Sequence, residues 1–452
     1  MSSNNQSDNK APKVLIVGAG LGGLMLGAIL ERASIEYCIF ERAVCVKPLG
    51  SALVLGPNIL PVFEQLGLLE EIIKIASPVP SSDVYNIEMK KLGSITMKDI
   101  KKITGFDNII FARPRLYELM LRQIPKHKIL MNKKVLKAQE TDEQVVIHCS
   151  DNTIYQGDIL IGADGTYSSV RQNMYKVLEE KGLLPKSDME NLTIGHTCMV
   201  GVAEPKDPSK YPQLQEEVAQ LATVVGEERL FWSVSNCPDN QMCWMLFYQF
   251  KSSTESREKQ FRNSEWGPEA NESMIKQFYD LSCPFGGTMG ELIDDTPKDL
   301  ISKVFVEEKM FHTWFYGRSV LLGDGAINAM QDAVILGNCL YDIVDATPKN
   351  IKAAFQDYYD QRYEHAKYMV NSSSLITKAT LGQNWLEKAF RYALFNVIPE
   401  WVQQMSYAKM AEYRPQITFL PFAVNRGTGR VAPQKPSKRY TEEQAKMKGI
   451  AI

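Results

Sequence analysis

No two of the eight cysteines form a CxxC pair; Cys38, Cys45, Cys149, Cys198, Cys237, Cys243, Cys283 and Cys339 are scattered along the chain. The five histidines make no HxxxH and no Cys/His cluster. A structural zinc site, any other metal centre or a disulfide framework is therefore not expected. A basic field is missing too. Lys+Arg number 51 against 53 Asp+Glu, a net charge of −2, which offers nucleic acid no overall attraction. No GxSxG elbow supports a Ser/His/Asp triad. The first residues, 1–12, are polar without an apolar centre, so they read as a disordered leader rather than a signal peptide. A reduced, cytoplasmic protein is the default. Apolar runs of about 18 residues, the length of a spanning helix, are absent. The nearest approach is Ala389–Val402, interrupted by Arg391, Asn396, Pro399 and Glu400. It reads as a buried or groove-lining helix. The alternative is a peripheral membrane contact through residues 384–405, helped by the basic tail behind them.

What is present is ordinary for a globular chain: 44% hydrophobic and 23% charged residues. A length of 452 exceeds what one core usually supports, so two or three units are expected. The charge balance hides an asymmetry, because residues 425–452 carry seven Lys/Arg and two Asp/Glu.

Lys13–Val17 is a β-branched run that feeds directly into GAGLGGLMLGAILERA, and a second apolar run, Tyr37–Phe40, ends in Glu41. Strand, glycine turn, helix, strand is a βαβ unit, and the sheet it begins is expected to be parallel. Asn58–Ile75 reads as helical, and Val84–Met89 and Ser94–Met97 as strands with a turn at Gly93. Asp151-Asn152 marks a hairpin, and Asp158–Gly162 a strand. From about residue 192 to 303 the texture changes to strand-like runs (Thr197–Val202, Arg229–Val234, Met242–Phe250) and charged stretches such as Glu255–Arg262. Ser319–Leu322 then returns as a buried strand before the helix Ala326–Val344. These shifts give a leader (1–12), a discontinuous dinucleotide domain (13–190 and 302–372), an inserted domain (191–301), a helical segment (376–424) and a basic tail (425–452).

The turn supplies GxGxxG with Gly18, Gly20 and Gly23. Gly18 permits the tight bend, Gly20 lets a pyrophosphate approach the backbone, and Gly23 lets the helix pack on the strand. Glu41, at the end of the next strand, suits the ribose hydroxyls. One such fingerprint leaves NAD(P) and FAD open. Further motifs narrow the choice: Ile161–Arg171 (IGADGTYSSVR, with Asp164), Ser319–Asp324 (SVLLGD), Phe111-Ala112-Arg113-Pro114 and Gly50–Val54 (GSALV). In this order they resemble the DG motif, the GD motif, the arginine before a helix and the small-residue loop of single-component FAD-dependent monooxygenases, the aromatic-hydroxylase type. Fungal epoxidase-like members of indole-diterpene and meroterpenoid secondary metabolism are the most similar subgroup.

That resemblance implies an α/β protein. It has a Rossmann-like FAD-binding domain of the para-hydroxybenzoate-hydroxylase kind, an inserted mixed β-sheet substrate domain and C-terminal helices. It implies FAD as cofactor, NAD(P)H as co-substrate, and O2 with a small apolar molecule as substrates. Arg113, Asp164 and Asp324 are then expected at FAD, with Val54 and Ala326 near its ring; no acid or base is singled out as catalytic. One departure stands out. Gly323-Asp324 runs straight into Gly325-Ala326, about eleven residues shorter than the family's loop, so that strand or helix must shift if Asp324 and Ala326 are both to reach the cofactor. Two other readings remain: an FAD-binding but catalytically impaired isoform, and a non-flavin NAD(P)-dependent reductase. His312 and the cluster Phe231, Trp232, Trp244, Phe247 and Tyr248 read as packing residues.

Overall fold

The computed structural model describes residues 11–190, 193–250, 268–381 and 384–448. Most of the expected leader and the Glu255–Arg262 stretch lie outside the described residues. Val14–Val17 is wholly buried and pairs in parallel with Tyr37–Phe40 on one side and Ile159–Gly162 on the other. Ser319–Leu321 adds in parallel to Ile159–Gly162, and Ile129–Leu130 to Tyr37–Phe40. A strand from late in the chain thus lies beside the first ones, as an interrupted and resumed domain requires. Two helices cover this sheet together, Leu21–Ala33 and Ala326–Tyr341. Gly337 lies against Ile29, where a Cβ would come within 2.6 Å of the isoleucine methyl.

The second sheet has seven strands, and five of them run antiparallel in the order Ser302–Glu308, Thr193–Ala203, Gln241–Gln249, Leu230–Cys237, Leu221–Val225. Leu221–Val225 in turn pairs in parallel with Ser81–Asn86, which carries Lys91–Thr96 at the edge. The sheet is therefore mixed, and it recruits strands from both sides of residues 191–301. Alternation sorts its aromatics. Trp232 and Trp244 are fully buried on one face with Phe278 and Met289, while Phe231 and Phe247 stack at 4.5 Å on the other.

Four expectations need correcting. Gly93 is not a turn: it pairs with Val84 inside its strand, and the reversal lies at Met89, whose φ is +57°. Glycine is needed at 93 because Phe395 lies where a side chain would be, 2.3 Å from a Cβ. The 58–75 helix is two, Leu60–Gln65 and Leu69–Lys74, broken at Gly67 with φ +77°. Ala389–Val402, expected as a buried or groove-lining helix, is neither one helix nor buried, although its Phe395 packs on Gly93. It spans two helices, Trp385–Asn396 and Glu400–Met410, that bury no residue between them. Among the described residues no helix is long and apolar enough to cross a membrane. The tail, finally, folds back. Arg426 pairs with Glu64, Lys435 with Asp357 and Arg439 with Glu443, and Lys438–Met447 is helical behind a Ser437 cap. Arg426 and Lys435 thus tie the tail to acids on the body of the protein, and Arg439 pairs within the tail.

Candidate functional site

At the carboxyl ends of the parallel strands the backbone opens into a cavity of about 340 Å³. Open α/β sheets place ligands there. Gly18, at φ +104°, turns the chain away from the strand. A Cβ on Gly18 would meet the Ala163 carbonyl oxygen at 2.4 Å, and one on Gly23 would meet the Gly18 carbonyl oxygen at 2.1 Å. A Cβ on Gly20 would meet nothing within 4 Å, because Gly20 faces the cavity. No side chain caps the Leu21–Ala33 helix, so its first N–H groups point at this space with the positive end of the helix dipole.

The sequence-predicted residues divide into three groups. Gly18, Gly20, Glu41, Arg113, Asp164, Asp324 and Ala326 all line the cavity. Gly23 serves packing beneath it. Val54 does not reach it. That side chain packs behind the loop with Ala112, Cys237 and Cys243, and the alternation of the strand turns Leu53 toward the neighbouring hollow instead.

Glu41 already accepts the Ala19 and Ala43 N–H groups, both at 2.9 Å, so it also fixes the glycine turn. Arg113 donates to the Leu49 carbonyl at 3.2 Å. Burial pushes its pKa down, opposed by Tyr117 and Asp324 nearby. Burial, with Glu41 adding to it, lifts the Tyr117 hydroxyl to about 12. Asp164 accepts the Ser169 N–H at 2.6 Å and its hydroxyl at 2.9 Å through one oxygen. Its other oxygen is buried without a protein partner, an acceptor left over for a ligand hydroxyl.

The shortened link resolves through one residue. Gly325, at φ +92° and ψ 128°, turns the chain from strand to helix, and Asp324 and Ala326 both reach the cavity. Asp324 accepts the Thr166 hydroxyl and, at 2.8 Å, the Gly325 N–H. The Ala326 helix, too, has no side-chain cap.

A second hollow of about 490 Å³ shares Gly165 and Leu322–Ala326 with the first. Its walls are mostly apolar: Leu53, Met310, Phe311, Trp314, Ile327 and Met369. Lys309 and Arg171 stand at one side, and burial lowers the Lys309 pKa. A third hollow of about 330 Å³ lies on the Phe231/Phe247 face of the large sheet and shares Ser373 with the second. Sequence reasoning missed Leu53, Thr166, and the cations Arg42, Lys133 and Lys134 on the first cavity's wall. Arg42 directly follows Glu41 and Lys133-Lys134 is a dibasic pair, so both signals were in the text.

These residues fit FAD. The open Gly20, two uncapped helix starts and a wall of cations suit a pyrophosphate, the unpartnered Asp164 oxygen and Asp324 suit hydroxyls, and the adjoining apolar hollow suits a flat ring. Comparison with known proteins agrees. The chain is 26% identical to the FAD-dependent monooxygenase ptmM of Penicillium ochrochloron over 81% of this chain and 88% of that one. It is 25% identical to the FAD-dependent monooxygenase ausM of Penicillium brasilianum over 92% and 90%. Its fold is that of Klebsiella pneumoniae HpxO, solved with FAD and uric acid: TM-score 0.69 and 19% identity, over 89% of this chain and 97% of that one. The model of the family described as FAD binding domain matches residues 11–373. The chain therefore belongs to that family, within the FAD-dependent monooxygenases its motifs resemble.

Proposed function

We propose that this protein is an FAD-dependent monooxygenase that uses NAD(P)H and O2 to hydroxylate or epoxidise an apolar small molecule, in a fungal type of secondary metabolism. One observation carries the reading. Five separate segments of the chain, around residues 18, 41, 113, 164 and 324, converge on one cavity that opens into an apolar hollow. Bound FAD supplies electron storage and oxygen activation, chemistry no side chain can perform. The chain's own residues bind and orient. Gly20 and the Leu21 helix start receive the pyrophosphate, with Arg42 and Lys133 offsetting its charge. Glu41 and Asp164 accept hydroxyl protons, and Arg113 and Asp324 hold the stretch toward the ring. The uncapped Ala326 helix start would face the ring's edge, where its dipole favours negative charge. Leu53, Phe311, Trp314 and Met369 give that end an apolar lining. The hollow beyond Ser373, floored by Phe231 and Phe247, gives an apolar substrate room.

Purification separates the readings. A yellow protein whose NADPH oxidation yields oxygenated product supports the proposal. Yellow protein without turnover points to the impaired isoform, and colourless protein that FAD does not restore points to a non-flavin reductase.

We also infer that the protein rests on an anionic membrane surface. Trp385 is 75% exposed, Tyr392 66%, Trp401 62% and Met405 63%, on two adjacent helices. Those helices pack against Lys91–Thr96 and Ile100–Thr104, beside which Lys90, Lys98 and Lys102 are exposed. Aromatics at headgroup depth with lysines around them suit a charged interface. Co-sedimentation with phosphatidylcholine vesicles containing phosphatidylserine is the expected outcome. Its loss in Trp385→Ser/Trp401→Ser would support the assignment, and equal recovery in the supernatant with and without vesicles would refute it.

A further inference from the structure

Asp332 is 1% exposed and is the one charged residue of the run Met330–Leu340, where every residue is buried. Fully buried carboxylates are rare without a partner. Asp332 has two. Oδ1 accepts from Arg362 Nε at 2.6 Å, and Oδ2 accepts from the Gly323 N–H at 2.7 Å. Arg362 is itself fully buried on the long helix Pro348–Leu381. Its η nitrogens reach no carboxylate or carbonyl, and its guanidinium lies 5.4 Å from the centre of the Tyr413 ring. Asp332 is therefore its counter-charge, and the pair locks two helices together.

The bond to Gly323 extends that lock to the cofactor cleft. Around it the strand end is held from both sides: Tyr358 donates to the Leu321 carbonyl at 3.0 Å, and the Leu322 N–H donates to Gly162 at 2.9 Å. The next residue is Asp324, and after Gly325 the helix begins. Only those two residues separate the pinned strand from the helix that carries Asp332. A link so short has no slack, so any displacement of Gly323 moves Asp324 and the Ala326 helix start with it. Gly323 also permits the approach, since a Cβ there would come within 2.8 Å of Asp332 Oδ2.

We propose that Asp332 is a positioning residue for FAD: held by Arg362, its side-chain oxygen anchors the Gly323 backbone and thereby sets Asp324 and the Ala326 helix start against the cofactor. The inference rests on the flavin reading of this cleft. Two double variants test it, both lacking the buried ion pair. Asp332→Asn/Arg362→Met keeps a side-chain carbonyl for the Gly323 N–H, and Asp332→Leu/Arg362→Met does not. Affinity for FAD is measured by flavin fluorescence on the apoprotein, alongside the absorption spectrum of the bound flavin. The expected result is near-native affinity for the asparagine variant. The leucine variant should bind about tenfold more weakly, the scale of one hydrogen bond, with a spectrum shifted toward free flavin. Gly323→Ala, which leaves the ion pair in place, should weaken FAD in the same direction and serves if the double variants do not fold. Equal FAD affinity in the two double variants, or native affinity in Gly323→Ala, overturns the inference. A wild-type apoprotein that takes up no FAD overturns the flavin reading, and this inference with it.

Discussion

Gly20 and Gly23 stand three residues apart in one motif and do opposite jobs. Gly20 has extended backbone, φ −73° and ψ 179°, with open space where a side chain would go. Gly20→Val should leave apoprotein stability within about 0.5 kcal/mol and abolish FAD binding by filling the pyrophosphate position. Gly23→Ala forces a Cβ to within 2.1 Å of a carbonyl oxygen and should cost about 1–3 kcal/mol of apoprotein stability. Thermal melts with and without FAD distinguish the two. His365 offers a pH test. It stacks on Tyr413 with ring centres 3.7 Å apart, and burial, aided by Arg362, lowers its pKa from 6.5 to about 4. The folded protein therefore binds fewer protons than the unfolded chain between those values. Its contribution to stability is complete above about pH 6.5 and is lost as pH falls toward 4. His365→Phe should flatten the acid side of the melting-temperature profile over that window.

At the scale of elements, period and punctuation carried much of the reading. The glycine-turn helix and the strands at 14–17 and 319–321 follow from apolar runs bounded by glycine, and the strand at 37–40 from one bounded by Glu36 and Glu41. What failed shares a physical reason. Gly93 is punctuation only if nothing distant needs the space, and Phe395, three hundred residues away in sequence, occupies it. No local rule contains that contact. Gly93→Val should free the Trp385–Asn396 helix from the sheet edge, seen as faster backbone hydrogen exchange across residues 385–410 without loss of the core sheets. The seven-stranded sheet was partly hidden for a similar cause. Ser81–Asn86 joins it through a parallel pairing with Leu221–Val225, a long-range match that alternation alone does not encode. The cofactor side was legible because its residues sit in contiguous motifs. Motif position does not say which face of a strand is up, so it does not distinguish Leu53, which lines the hollow, from Val54, which packs behind it, and a lone acid such as Asp332 carries no local pattern that names its partners.

For the whole molecule, the consequence lies in the open end of the cleft. The link at residues 323–325, at the edge where the ring is expected, is short and exposed to solvent. A reaction chamber with a doorway in its wall leaks. Water that reaches activated oxygen before the substrate does turns reducing power into waste, so this protein should run poorly coupled. The expected outcome is that a large share of the NADPH oxidised appears as hydrogen peroxide, measured by the oxygen that catalase returns during turnover. A bulky apolar substrate should act as a stopper as well as a reactant, and the peroxide share should fall as its concentration rises. Little peroxide at low substrate concentration would mean that some other part of the chain closes the door.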